Sequence, residues 1–558
     1  MSNARKQMKV GFGMASGQSW KMTTVGTMIL MLALGTGVLA VPETLLRGAP
    51  AVAAPAFATV PRFTVPLPIP AKATPVSPNT FHLTQRQTQQ IIHPSLGPTT
   101  VWGYDDGVLG PSYPGPTFEV RRKKAITVSY ENQLPTDHLL PVPGEPTVRA
   151  LTHLHGGFTL GADDGNPYAT TDEYRAGETQ TVHYGNDQPP TTLWYHDHAH
   201  ALTHWNVYAG LAGFYLIRDS QDTGREPNPM KVPGGAYEIP IAIQDRTFDE
   251  DGQLVYQQFG GTAVLNGAAF PFLEVEPRQY RFRFLNGSNA RFYNLEISGG
   301  PRFHQIGAHG GLFDVPVLRD QLLITTGERA DVIVDFEGFE GETLVLRNLQ
   351  PASVALPEIM QFRVGEDVTN PGPKRIPKKL RGSLPKFGAP DRERYITLDS
   401  TPGTFFPVLL DGRRFSEPVN IRVPVGDVED WFLIGLAPGT HPIHVHPPQF
   451  QVVSRRPFDV AAYEVALAEA RAAGKPNPDP APFYTGGPLP LQPNDYGFLD
   501  LASVPRGQVV QIRSPFDVPK GGARSTQKYV MHCHILEHED NDMMRPFEVV
   551  ERPRGRPH

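Results

Sequence analysis

Short apolar runs broken by polar positions recur from residue 117 onward and set the expected secondary structure. TFEV, KAITVSYEN, TLWYH and AGFYLIR alternate or run apolar for a few residues and stop at Gly, Pro, Asp or Asn, as β-strands do. The same grammar returns in YEIPIAIQDRTF, TAVLNG, RQYRFRFLNG and LLITTGERADVIVDF. It returns again in YITLD, VEDWFLIGL, HVHPPQFQVV, QVVQIRSPF and YVMHCHI. Helical text is scarce; VAAYEVALAEARAAG at 460–474 is rich in Ala, Glu and Leu and predicts one helix. The aperiodic stretch 364–390, rich in Pro, Gly and Lys, predicts a linker, and the Pro-rich stretch 55–80 predicts an extended arm rather than a packed element. The chain reads as all-β. It divides into three β-sandwich units: 54–230 with the arm, 231–395 with the linker, and 396–558.

The amino end has a different pattern. Arg5, Lys6, Lys9 and Lys21 precede an uncharged run centred on Met28–Val41, and small-residue cleavage candidates follow at Ala51-Val52-Ala53 and Ala56-Phe57-Ala58. That order predicts an export signal over residues 1–53 and a secreted, periplasmic or cell-surface protein. The competing reading is a retained anchor, because the 17 uncharged residues from Val25 to Val41 sit near the short end for a membrane span.

Composition narrows the picture. With 54 glycines and 58 prolines, a fifth of the 558 residues favour turns, which suits short strands and counts against a helical bundle. The net charge is -6, and a chain cut after residue 53 carries 46 basic and 56 acidic residues, so nothing points to nucleic acid. Cys533 is the single cysteine, which excludes an intrachain disulfide.

Among 19 histidines there are four His-x-His pairs: His153/His155, His196/His198, His444/His446 and His532/His534. Positions i and i+2 of a strand face the same side, so each pair can aim two imidazoles at one point. Taken singly, each pair is an ordinary surface or core pair; together they offer eight nitrogen ligands, enough for several metals. Strand alternation sends the Cys533 sulfur to the face opposite its two flanking histidines, where it can serve a separate metal. With His441, His538 and Met543 it completes a His2CysMet set, the ligands of a blue-copper electron-transfer site. Zinc accepts Cys and His but passes no electrons, which leaves the adjoining pairs without purpose. The spacing therefore predicts a relay in which single electrons reach the Cys533 centre and collect on the neighbouring cluster; the number of metals in the cluster and the expected export, not the spacing, point to dioxygen as the four-electron acceptor.

The motifs PGPTFEV (114–120), THLHGG, WYHDHA, GTHPIHVHPPQF and HCHILEHEDNDMMRPF resemble those of multicopper oxidases of the bacterial spore-coat laccase type, and are similar also to bilirubin oxidase and phenoxazinone synthase. The resemblance implies three cupredoxin-like Greek-key β-sandwich domains and four coppers per chain. It implies a trinuclear cluster between the first and third domains and a middle domain without copper. It places His441, Cys533 and His538 on type 1 copper with Met543 axial; Met544 is the neighbouring alternative, and the family's ten-residue spacing from the cysteine favours Met543, with core packing the ordinary role for Met544. It places His153 and His444 on type 2 copper, and His155, His196, His198, His446, His532 and His534 on the type 3 pair. Pro447, Pro448 and Gln449 depart from the aliphatic residues common beside this motif.

The resemblance also gives Asp164 and Glu539 proton-supplying roles near the cluster, since reducing dioxygen to water consumes protons; the alternative for each is an ordinary exposed acid on a turn. His200, His204, His183, His304 and His309 are expected to be structural or to stand behind the ligands. The implied substrates are phenols, aminophenols and aromatic amines, with tetrapyrroles of the bilirubin kind within the same chemistry, acting on a monomer. Two alternatives stand beside this: an oxidase of cuprous, ferrous or manganous ions, against which the five methionines outside residues 1–53 speak, and a non-catalytic copper-binding protein.

Overall fold

Strand Ile126–Asn132 alternates buried and partly exposed positions along its length, one face on a core and the other toward water. Strands Thr191–Asp197 and Ala212–Arg218 are buried at every position, so both of their faces are covered. That contrast positions the site: doubly covered Thr191–Asp197 carries His196, and Ala212–Arg218 pairs beside it. The computed structural model describes residues 57–552 except 145–146, 171–172, 352–355, 383, 385, 401–407 and 448. The expected export segment 1–53 and Pro448 lie outside the described residues. Among the described residues no helix is long and apolar enough to cross a membrane.

The fold is all-β: among the described residues 44% lie in strands and 9% in helices. Strands between Thr80 and Arg218 form two four-stranded sheets, one ordered Thr99–Asp105, Thr80–Gln90, Ile126–Asn132, Thr179–Tyr184, the other Gly115–Arg121, Ala212–Arg218, Thr191–Asp197, Thr152–His155. Strands from Glu238 to Val364 form the second pair of sheets, and strands from Arg392 to Val550 form two five-stranded sheets. The first and third sandwiches share a topology in which non-consecutive strands pair in parallel: Thr80–Gln90 with Ile126–Asn132 in the first, and Arg392–Ser400 with Val428–Gly435 in the third. These are Greek-key, cupredoxin-like sandwiches.

Each sandwich has its own apolar core. Phe118, Leu154, Leu193 and Tyr195 belong to the first; Phe282, Val332 and Phe362 to the second; Trp431, Ile443, Met531, Cys533, Met543 and Phe547 to the third. A buried network joins the first two: Arg218, Arg281 and Arg283 bond to Asp222, Glu238 and Asp331, three guanidinium groups against three carboxylates. The arm is extended as expected yet it is packed, because Val60 and Leu67 lie in the core of the second sandwich. Its prolines remove ladder donors, while its apolar side chains still find a core. The expected helix spans Val460–Ala472, with the Asp459 side chain accepting from Ala462 N.

Candidate metal centres

Strand register brings the histidine pairs together two by two. His153 lies opposite His196 where Thr152–His155 pairs with Thr191–Asp197, and His444 lies opposite His532 where Thr440–Val445 pairs with Gln527–Cys533. Leu154, between His153 and His155, and its register partner Tyr195 point into the first core. Three second members fall one residue past their strands, where backbone bonds still fix them: His198 N to Leu151 O at 2.7 Å, His446 N to Val530 O at 3.1 Å and His534 N to Pro442 O at 2.7 Å. All eight rings are buried, and His155 and His444 stack across the two sandwiches at 3.8 Å between centroids.

The groups behind the rings decide which nitrogen each ring presents. His153 Nδ1 bonds Asp164 O at 2.7 Å, His444 Nδ1 bonds Asp500 O at 2.6 Å, and His196 Nδ1 bonds Asp197 O at 2.8 Å. The Nε2 atoms of all three are buried without a hydrogen-bond partner, as is that of His198. His446 turns Nδ1 to Asp164 Oδ2 at 2.7 Å and Nε2 to His532 Nε2 at 3.1 Å. His155 is reversed: Nε2 donates to Asp500 Oδ1 at 3.2 Å, and Nδ1 faces His534 Nε2 at 3.2 Å. Buried polar nitrogens are seldom left unpaired, and several converging on one space suit metal. Burial, then neighbouring imidazoles, hold His153, His446 and His534 well below the ordinary imidazole value, so at neutral pH they are neutral and able to offer a lone pair to a metal.

The second centre is separate. Cys533 Sγ lies 3.7 Å from His441 Nδ1 and 3.6 Å from His538 Nδ1. His441 turns its Nε2 to Pro438 O at 3.1 Å, leaving Nδ1 for the sulfur side. The Cys533 backbone N–H bonds Met543 O at 3.0 Å, which ties the Met543 turn to the cysteine, and Met543 is fully buried. Burial lowers His441 to about 4 and His538 to about 3 and raises the Cys533 thiol. A thiol so buried becomes a thiolate when a cation binds it. His538 is the partly exposed member of this trio. Two imidazoles, one thiol and a nearby thioether fit copper, as do the eight nitrogens of the cluster.

Multicopper oxidase family models match residues 87–222 and 387–553. The chain is 37% identical over 541 residues to the laccase of Bacillus subtilis, covering 88% of this chain and 99% of that protein. The chain belongs to the multicopper oxidase family. It is also 34% identical to a laccase of Haloferax volcanii, with 89% of this chain and 86% of that one aligned. Among solved structures, the McoA multicopper oxidase of Aquifex aeolicus matches with a TM-score of 0.71 and 27% identity, over 87% of this chain and 99% of that one. The oxidase uses copper, and dioxygen is its electron acceptor.

Three buried acidic residues stand behind the cluster of this oxidase. Asp164 is fully buried, accepting from Thr159 Oγ1 at 3.1 Å and Asn166 Nδ2 at 2.9 Å besides His446. Glu539, also fully buried, places Oε1 3.2 Å from His198 Nδ1 and Oε2 2.8 Å from His532 Nδ1. Burial pushes both carboxyls up to about 7. Neither is a surface acid on a turn. The third, Asp500, was not among the sequence candidates; its one trace is a charge in the apolar run FLDLASV, at the foot of the strand that pairs with His444. The remaining histidines sit apart from the cluster: His204 Nδ1 bonds Asp540, His200 stacks on Phe415, His183 pairs with Asp163, and His304 is half-buried.

Proposed function

We propose that the chain is a laccase-like multicopper oxidase in which type 1 copper is held by His441, Cys533, His538 and Met543. In the same reading His153 and His444 hold type 2 copper, and His155, His196, His198, His446, His532 and His534 hold the type 3 pair. One observation carries this: Cys533 faces His441 and His538, while His532 and His534 on either side of it belong to the eight-imidazole cluster. Copper in these sites supplies one-electron chemistry at the cysteine and four-electron reduction of dioxygen at the cluster.

The chain's own residues do the rest. His538, partly exposed, offers an edge where a donor can lose an electron without binding a metal. Asp164 and Glu539 hold protons beside the cluster, each with a carboxyl near 7 that carries and releases a proton in the neutral range. Phenols, aminophenols and aromatic amines are the donors, and the working protein is an exported monomer. The domains are 54–230, 231–391 and 392–558, the last boundary standing ahead of Arg392 rather than at 395, because strand Arg392–Ser400 pairs with Val428–Gly435.

Oxygen consumption with a substituted phenol, measured against cuprous ion, tests the reading. A higher rate with the phenol supports it; a large preference for the ion replaces it with a metal-ion oxidase.

A further inference from the structure

The second sandwich supplies no histidine to either centre, yet one of its side chains touches both sandwiches that do. Arg329 begins strand Arg329–Asp335 and is completely buried. Its Nε donates to Thr192 O at 3.1 Å, on the strand that carries His196. Its Nη1 donates to Gly327 O at 2.9 Å in its own sandwich and to Asp500 Oδ1 at 3.0 Å in the third, and Nη2 donates to Asp500 Oδ2. The fork is therefore bidentate, which fixes the orientation of the carboxylate as well as its charge. His309, also from the second sandwich, stands with Nδ1 3.2 Å from Asp500 Oδ1.

Asp500 in turn decides how His155 presents itself. Its Oδ1 accepts from His155 Nε2, which leaves Nδ1 as the lone-pair nitrogen, 3.2 Å from His534 Nε2. The surroundings are closely packed. A Cβ on Gly156, the residue after His155, would lie 2.4 Å from Asp500 Oδ2 and 2.7 Å from Arg329 Nη2. A Cβ on Gly327 would meet the His534 ring at 2.9 Å.

We infer that Arg329 is a positioning residue for the cluster: through Asp500 it locks His155 in the tautomer whose Nδ1 faces the metals, so the sandwich without ligands sets the geometry of the trinuclear site. The inference rests on the copper assignment above. Outer-shell partners of metal-bound imidazoles are worth roughly 10–100-fold in metal affinity, and losing a bidentate fork belongs at the upper end.

The test compares the copper-loaded full chain with Arg329→Met and Arg329→Lys, measuring copper per chain during chelator challenge, thiolate-to-copper absorption and the fraction of copper visible by electron paramagnetic resonance. The expected result for Arg329→Met is intact thiolate absorption, which reports a folded third sandwich, with cluster copper lost roughly 10–100-fold more readily. The visible fraction of the copper that remains should rise as the type 3 pair uncouples. Lysine donates to Asp500 but cannot span Thr192 O and Gly327 O as well, so its copper retention falls between. Wild-type retention and an unchanged resonance spectrum in Arg329→Met would overturn the inference while leaving the oxidase assignment standing. If the methionine variant does not fold, Arg329→Lys decides in the same way. A wild-type chain that takes up no copper cluster would instead sink the assignment itself.

Discussion

Replacing Asp164 by Asn separates the proton-carrying role of this side chain from its role as a support. The carboxylate accepts from three donors: His446 Nδ1 and Asn166 Nδ2 at Oδ2, and Thr159 Oγ1 at Oδ1. An asparagine with its carbonyl oxygen at the Oδ2 position keeps the first two bonds, and its amide donates to the Thr159 hydroxyl, which rotates to accept. Copper content and blue absorption therefore stay at wild-type values. What disappears is a carboxyl that burial has pushed up to about 7. Losing a positioned proton donor costs roughly 10²–10⁴-fold, so reoxidation of the reduced protein by dioxygen, followed by stopped flow, should slow by that order. The wild-type rate should fall as pH rises through about 7, and this limb should be absent in the variant. The copper-free protein gives an independent reading. A carboxyl raised from 3.8 to about 7 contributes stability that is full below the lower value and lost as pH rises through the higher. At about 1.36 kcal/mol per unit, the loss is roughly 4 kcal/mol by pH 9. Urea midpoints should favour Asp164→Asn over wild type increasingly from about pH 4 to about pH 7 and by a constant margin above that. Equal reoxidation rates with superimposable pH profiles would refute the reasoning.

Cys533→Ser should abolish the blue absorption and reduce phenol oxidation to background while metal analysis still finds the cluster copper. Met543→Leu conserves volume in a fully buried site, so stability should change by less than about 1.5 kcal/mol. Its type 1 potential should rise on redox titration, because a donor to the more cationic copper state is removed. Arg281→Met leaves Asp222 and Asp331 short of a buried counter-charge, and denaturant unfolding should show a loss of roughly 3–5 kcal/mol; a change within 0.5 kcal/mol of zero would mean the network relaxes.

The convergence of the four histidine pairs was legible because a period-two repeat is local: each His-x-His pair needs only a strand to aim both rings. What the repeat could not tell is which nitrogen each ring presents, since that depends on Asp164 O, Asp197 O and Asp500 O behind the rings. Asp500 and Arg329 stayed hidden for a related reason. They meet across two sandwiches, 171 residues apart in sequence, and neither stands in a recurring pattern. Asp164 and Glu539 were found by resemblance, and only the fold reveals that both are sealed from solvent, Asp164 against His446 and Glu539 beside His198 and His532. The arm was misjudged as unpacked because prolines mask the apolar positions Val60 and Leu67. The boundary near 395 cut a strand because the linker's composition fades gradually into Arg392–Ser400, whose first residues are charged.

The central claim is that adjacent side chains on one short segment serve two different copper centres. A crystal structure of the copper-loaded chain, with anomalous scattering at the copper edge, tests it directly. The account predicts one copper on Cys533 Sγ together with His441 and His538, and separate coppers on His532 and His534. A sulfur bound to no metal, or all three side chains meeting at a single ion, would contradict it.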